Sequence, residues 1–104
     1  MAVGVIAKGI FIRGELRGEE DLVIEGEVEG SISMEKSLTI ESSGRIKANI
    51  ETESIIIRGE VTGDLKALDK ITIHSGAKII GDMKSPRMEI EDGAYYKGNI
   101  TMTR

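Results

Sequence analysis

Residues 22–32 read LVIEGEVEGSI, and the same alternation of apolar and polar residues returns four more times: LTIESSGRIKANI from Leu38, IIIRGEVTGDL from Ile55, ITIHSGAKIIGDM from Ile71 and MEIEDGAYYKGNI from Met88. The spacing is about 16 to 17 residues. A further stretch, IFIRGELRG from Ile10, fits the front of the unit and is followed by a shortened return. A unit this short cannot bury a core of its own, so it must stack on its neighbours. The sequence therefore predicts an all-β chain, a single-stranded three-sided parallel β-helix (a solenoid) of about six rungs.

Within each unit the apolar residues fall on alternate positions, the period of a strand with one buried face. Aligned unit on unit, they form columns. The first inward column reads Ile10, Leu22, Leu38, Ile55, Ile71, Met88; the second Ile12, Ile24, Ile40, Ile57, Ile73, Ile90; the third Leu16, Val28, Ile46, Val61, Ile79, Tyr96. A fourth runs Ile32, Ile50, Leu65, Met83, Ile100. Small residues mark two corners, where close backbone approach leaves little room for a side chain. One is Gly18, Gly30, Ala48, Gly63, Gly81, Gly98, and the other Gly14, Gly26, Gly44, Gly59, Ala77, Ala94. A looser third corner falls at SMEKS, KALDK and KSPR.

Outward columns give an independent check, because residues one rung apart sit about 4.8 Å from each other. The columns Glu15, Glu27, Arg45, Glu60, Lys78, Tyr95 and Arg17, Glu29, Lys47, Thr62, Ile80, Lys97 alternate in sign through most of their length. A third, Arg13, Glu25, Glu41, Arg58, His74, Glu91, is complementary only in part. Left-handed β-helices of the acyltransferase type hold a hexapeptide repeat, about 18 residues per turn. The spacing here favours a right-handed coil, a rod roughly 29 Å long.

Only 3% of the chain is aromatic against 39% hydrophobic, so the core must be built from Ile, Val, Leu and Met. One hundred and four residues make one domain, read as a short tail over residues 1–5 and a β-helical core over 6–104. The chain has no Cys, hence no disulfide, thiolate metal site or Cys nucleophile, in keeping with a reducing compartment. A net charge of −4 and the lack of a basic stripe argue against nucleic acid as a partner. No apolar run approaches the ~20 residues of a membrane span, and the opening MAVGVIAKGIFIRG lacks a signal peptide's charged leader and cleavage site. The expected location is the cytoplasm, with peripheral contact at the inner face of the cell membrane as a further expectation.

A free-standing solenoid needs terminal caps with a polar outer face, and the sequence shows none. Each end should then offer unpaired backbone groups and an apolar cross-section, a template for edge-to-edge association. The self-assembly contacts expected at the C-terminal end are Met88, Ile90, Tyr96, Ile100 and Met102; at the N-terminal end they are Ile6, Ile10, Phe11 and Ile12. Tyr96 is the most telling. A ring would overfill an interior layer of its aliphatic column, but on the last rung it can cover the open end or meet a second subunit. Met1, Val3 and Val5 form a candidate membrane tail, a marginal one beside Lys8.

Other chemistry is sparse. His74, the one histidine, falls in an outward column and reads as solvated. Glu19, Glu20, Asp21, Glu25, Glu27 and Glu29 cluster, but alternation turns the last three to solvent and no calcium-loop spacing is present. Glycosidase-type carboxylate pairs need a cleft built by long loops, and every return here is short. Thr101 and Thr103 make a single T-x-T pair without the column of an ice-binding face, and Met34, Met83, Met88 and Met102 read as gap-filling core. No catalytic, cofactor-binding or metal-ligating residue is assigned, and no GxxxxGK[ST] loop is present for a nucleotide.

Residues 6–32, IAKGIFIRGELRGEEDLVIEGEVEGSI, resemble the opening of the bactofilin core domain, roughly I-G-K-G-x-x-I-x-G-x-L-x-G-x-E-D-L-x-I-x-G-x-V-x-G-x-I. The ending GAYYKGNITM, residues 93–102, is similar to that family's aromatic-K-G-x-I-x-M close, with Tyr96 where a Phe is common and, earlier, Ala7 where Gly is common. The resemblance implies a right-handed three-sided β-helix that polymerises without nucleotide into bacterial cytoskeletal filaments, joined head to head and tail to tail. It also implies scaffolding of cell shape, cell-wall enzymes or chromosome-organising proteins. The function expected is thus a self-assembling structural subunit. Its rival is a short solenoid adaptor that recruits cell-wall enzymes or membrane as a small oligomer.

Overall fold

The structure, a computed structural model, describes residues 3–102. It contains strands only: β1 (Val3–Ile6), β2 (Phe11–Gly18), β3 (Asp21–Ile24), β4 (Glu27–Met34), β5 (Ser37–Ile40), β6 (Arg45–Ile57), β7 (Glu60–Thr62), β8 (Leu65–Ile73), β9 (Lys78–Ile80), β10 (Met83–Ser85), β11 (Arg87–Ile90), β12 (Tyr95–Lys97) and β13 (Ile100–Met102). All join one 13-stranded sheet, and every pairing is parallel and made to the next turn of the chain. The sheet winds into a coil of about 6 turns with three faces. Hydrogen bonds between turns join residues 16 to 18 apart.

On the first face β1, β3, β5, the end of β6, the end of β8 and β11 lie in successive rungs. The second face carries the starts of β2, β4 and β6, then β7, β9 and β12. The third holds the ends of β2 and β4, the middle of β6, the start of β8, then β10 and β13. Ile24, Ile40, Ile57 and Ile73 stack with no solvent exposure, as do Leu38, Ile55 and Ile71 beside them. Rungs two to six follow the expected columns. Side chains that alternate in and out bury aliphatic surface on every turn, at about 1.5–3 kcal/mol per fully buried residue.

The first rung departs from expectation. The sequence alignment set Ile10 beneath Leu22 and Ile12 beneath Ile24. In the structure Gly4 and Ile6 hold those places, in β1. Ile12 lies beneath Val28 and Leu16 beneath Ile32, one face further along the coil. Gly14, not Gly18, starts the column of Gly30, Ala48, Gly63, Gly81 and Gly98. Ile10 sits at the corner beside Gly26, and its carbonyl accepts the Glu27 amide at 2.9 Å. The outward columns therefore begin with Phe11 and Arg13 rather than Glu15 and Arg17. The first turn is complete and has no shortened return. Val3 to Val5, expected as tail, are strand residues of that turn; Met1 lies outside the described residues.

A fifth inward column was not expected: Gly18, Met34, Thr52, Ala67 and Ser85, with Met102 paired above Ser85. Met34 fills the space above Gly18, its terminal carbon 2.7 Å from where a Cβ at Gly18 would stand. Thr52 and Ser85 are buried polar residues satisfied locally. Thr52 donates to the Ser54 carbonyl at 3.0 Å, and Ser85 to the Arg87 carbonyl at 2.6 Å. Among the described residues no buried side-chain nitrogen or oxygen lacks a partner. The molecule measures 29 × 25 × 23 Å, a squat prism rather than the expected rod.

Candidate functional site

Stacking satisfies the interior of the coil and leaves its two ends open. At the C-terminal end, Tyr96 lies inward above Ile79, yet it is 45% exposed because no rung follows it. Ile90 above Ile73 and Met102 above Ser85 are open to solvent for the same reason, Met102 at 56%. Met88 and Ile100 are only half-covered, against the core from one side. The five expected residues therefore gather on one terminal surface. Tyr95, not expected there, is exposed on the outer side of the same rung, with the Lys78 ammonium 6.0 Å from its ring centre.

The N-terminal end is less uniform. Ile10 and Phe11 are exposed, and Val5 joins them from β1. Phe11 points outward in the column of Glu27, with the Arg13 guanidinium 6.0 Å from its ring centre. Ile12 is half-covered beneath Val28, and Ile6 is already buried against the core. Of the four residues expected at this end, only Ile10 and Phe11 stand free. The backbone edges of the first and last rungs face outward along the coil, each with one parallel neighbour only.

Besides its strand pairings and the Lys70–Glu89 and Arg87–Asp69 ion pairs, the last rung is held to the one before it at the corner of Glu91. Glu91 Oε1 accepts the Ser75 amide at 3.0 Å and lies 3.0 Å from His74 Nδ1. The Ser75 hydrogen bond first, and His74 second, hold the Glu91 carboxyl below the usual carboxylate range. His74 thus pairs with Glu91, where the sequence reading left it solvated. Arg58 and Glu41 make the equivalent bridge two rungs earlier, at 2.9 Å. Arg45–Glu60 at 3.5 Å and Arg13–Glu29 at 4.0 Å follow the outward columns, the latter in the corrected register of the first rung.

Away from the ends, an open groove of about 600 Å³ runs along the third face, lined by residues that include Asn49, Asp64, Lys66, Asp82, Lys84 and Asn99. Among the described residues no group of three or more His, Cys, Asp or Glu side chains is placed to hold a metal ion. Nor is any helix long and apolar enough to cross a membrane.

The family model described as "Bactofilin: Polymer-forming cytoskeletal" matches residues 4–101, which takes in the complete first rung from Gly4. The chain belongs to the bactofilin family. This bactofilin is similar to three from Myxococcus xanthus (strain DK1622). It is 60% identical to BacN over 99 residues, covering 95% of this chain and 88% of the relative. It is 48% identical to BacO over 102 residues, covering 98% and 81%. With BacP the identity is 36% over 98 residues, and the match spans 94% of this chain but 41% of the relative. The solid-state NMR structure of the cytoskeletal bactofilin BacA superposes with a TM-score of 0.88 at 22% identity, covering 98% and 97% of the two chains. That likeness establishes the shared fold. The family and the fold are those of a structural, polymer-forming cytoskeletal protein.

Proposed function

We propose that this bactofilin is a scaffold subunit that assembles, without nucleotide, by stacking the open ends of its coil. The observation that carries the reading is the terminal surface of Ile90, Tyr96 and Met102, apolar and exposed beside unpaired strand edges. A joint there would pair up to three strands and remove the apolar cross-section from water. About 400 Å² of apolar surface at ~25 cal/mol per Å² is worth on the order of 10 kcal/mol before the costs of association. That leaves a margin for polymerisation at modest concentration with no bound nucleotide to supply energy. At the other end the exposed apolar side chains are Ile10 at a corner and Val5 and Phe11 on the outer sides of the first rung, around the half-covered Ile12.

Tyr96→Arg tests the joint. Tyr96 stands on the last rung with 45% of its surface exposed, so the variant should keep the β-sheet circular dichroism of the parent while placing a charge on the end. By negative-stain electron microscopy long polymers should give way to short or discrete species. Filaments of unchanged length in Tyr96→Arg, or only small discrete oligomers of the parent at high concentration across salt conditions, would sink the reading. The second outcome would favour the adaptor, which sedimentation velocity shows as one species instead of an open-ended distribution.

A further inference from the structure

We infer that the first face of the coil binds the same face of a second copy side by side, with the two coils running antiparallel. The central outward column of this face is Val5, Val23, Thr39, Ile56 and Thr72, uncharged and β-branched through five rungs, with Glu89 on the sixth. On the other two faces no outward column holds more than two uncharged residues in succession. Val23, Thr39, Ile56 and Thr72 are half-buried already, whereas Lys47, Thr62 and Lys66 on the other faces are exposed. A flat stripe of short stiff side chains is suited to packing against another sheet about 10 Å away.

The flanking columns say which partner and which direction. On one side run Asp21, Ser37, Ser54 and Lys70; on the other Glu25, Glu41, Arg58 and His74. Over rungs two to five each column runs from acidic residues to Lys, Arg or His; on the sixth rung Arg87 extends the first and Glu91 ends the second. Turn a second copy about an axis along the strands, between the third and fourth rungs, and every column faces itself reversed. Asp21 then meets Lys70, Glu25 meets His74 and Glu41 meets Arg58, while Val23 covers Thr72, Thr39 covers Ile56 and, on the outermost rungs, Val5 faces Glu89. The Arg58–Glu41 bridge of one copy lies against its inverse in the other, a square of alternating charge. A parallel pair exchanges the two flanking columns and sets Asp21 against Glu25 and Lys70 against His74. Sign matching selects the antiparallel arrangement. The second face matches in one column, Glu27 with Lys78 and Arg45 with Glu60. Its other column would place Arg13 on Lys97, and no uncharged stripe offsets the desolvation of its charges. The contact leaves both ends of the coil free, so it does not depend on the end joint.

Cross-linking reads the direction. The chain has no cysteine, so Val23→Cys and Thr72→Cys each introduce a single thiol. The two variants, carrying tags of different size, are mixed and treated with a short bismaleimide. Antiparallel pairing gives a mixed cross-linked dimer at least about ten times more abundant than the dimer from either variant alone. A dimer from Val23→Cys alone as abundant as the mixed one, or none from any combination, overturns the inference. Association is read in the Tyr96→Arg background by sedimentation: a discrete dimer is expected, converted to monomer by adding Ile56→Lys and unaffected by adding Lys47→Glu. A monomer with the first face intact also overturns it. Filaments that persist in Tyr96→Arg count against the end joint alone, because the cross-linking pattern is read separately.

Discussion

Gly81 has φ +138°, and a Cβ built on it would lie 1.9 Å from the carbonyl oxygen of Gly63 one rung below. Gly14 has the same φ but open space around its Cβ position, because no rung lies beneath it. Alanine at Gly14 therefore meets backbone strain alone, about 1–3 kcal/mol. Alanine at Gly81 adds a clash with main chain that no side-chain rotation relieves. Urea melts should show Gly14→Ala folded with a modest loss, and Gly81→Ala losing several kcal/mol or failing to fold. Equal losses would mean that rung stacking is not what fixes the glycine. At this scale the isoleucine columns were legible, because alternation points a residue in or out whatever its neighbours do. Thr52 and Ser85 were not, since their hydroxyls reach main-chain carbonyls two residues ahead and so tolerate a buried position that polarity argues against.

Between rungs, the same alternation misleads. The three faces are built from near-identical pieces, an apolar alternation broken by glycine, so IFIRGELRG matches the front of the next unit as well as its middle. The structure resolves the choice by putting Gly14 beneath Gly30 and Arg13 beneath Glu29, which gives a complete first rung and an ion pair together. Which residues lie on the first rung could not be read from alternation alone, because it depends on that register. The last rung has its own titratable tie in Glu91. Its carboxyl is depressed in the folded state by the Ser75 amide and by His74. The stabilisation is therefore present above the ordinary value of about 4.3 and is lost as pH falls through the folded value. Protection of the Ser75 amide against hydrogen exchange should drop on acidification through and below the ordinary carboxylate range, ahead of the core amides. In Glu91→Gln that protection should be low already at neutral pH and show no acid step. A Ser75 amide in the parent that opens only with the core would show that Glu91 does not hold the corner.

For the molecule as a whole, the proposed end joints would link stability to assembly. A coil that hides its ends in joints is stabilised by its own concentration, by up to about 1.4 kcal/mol per tenfold increase. The midpoint of thermal unfolding should rise with protein concentration in the parent and stay nearly flat in Tyr96→Arg combined with Ile56→Lys. A flat response in the parent would leave the ends without a thermodynamic role. The expected rod proved to be a block, 25 × 23 Å along its two shorter axes against 29 Å along the longest, a comparison that column alignment does not make. Its proportions bear on mechanics. In a string of such blocks a chain break recurs at every sixth step of the ladder, with little continuous backbone between one break and the next. Bending stiffness would then reside in the seams, and a cell could soften or harden the fibre by changing a few side chains there without touching the fold.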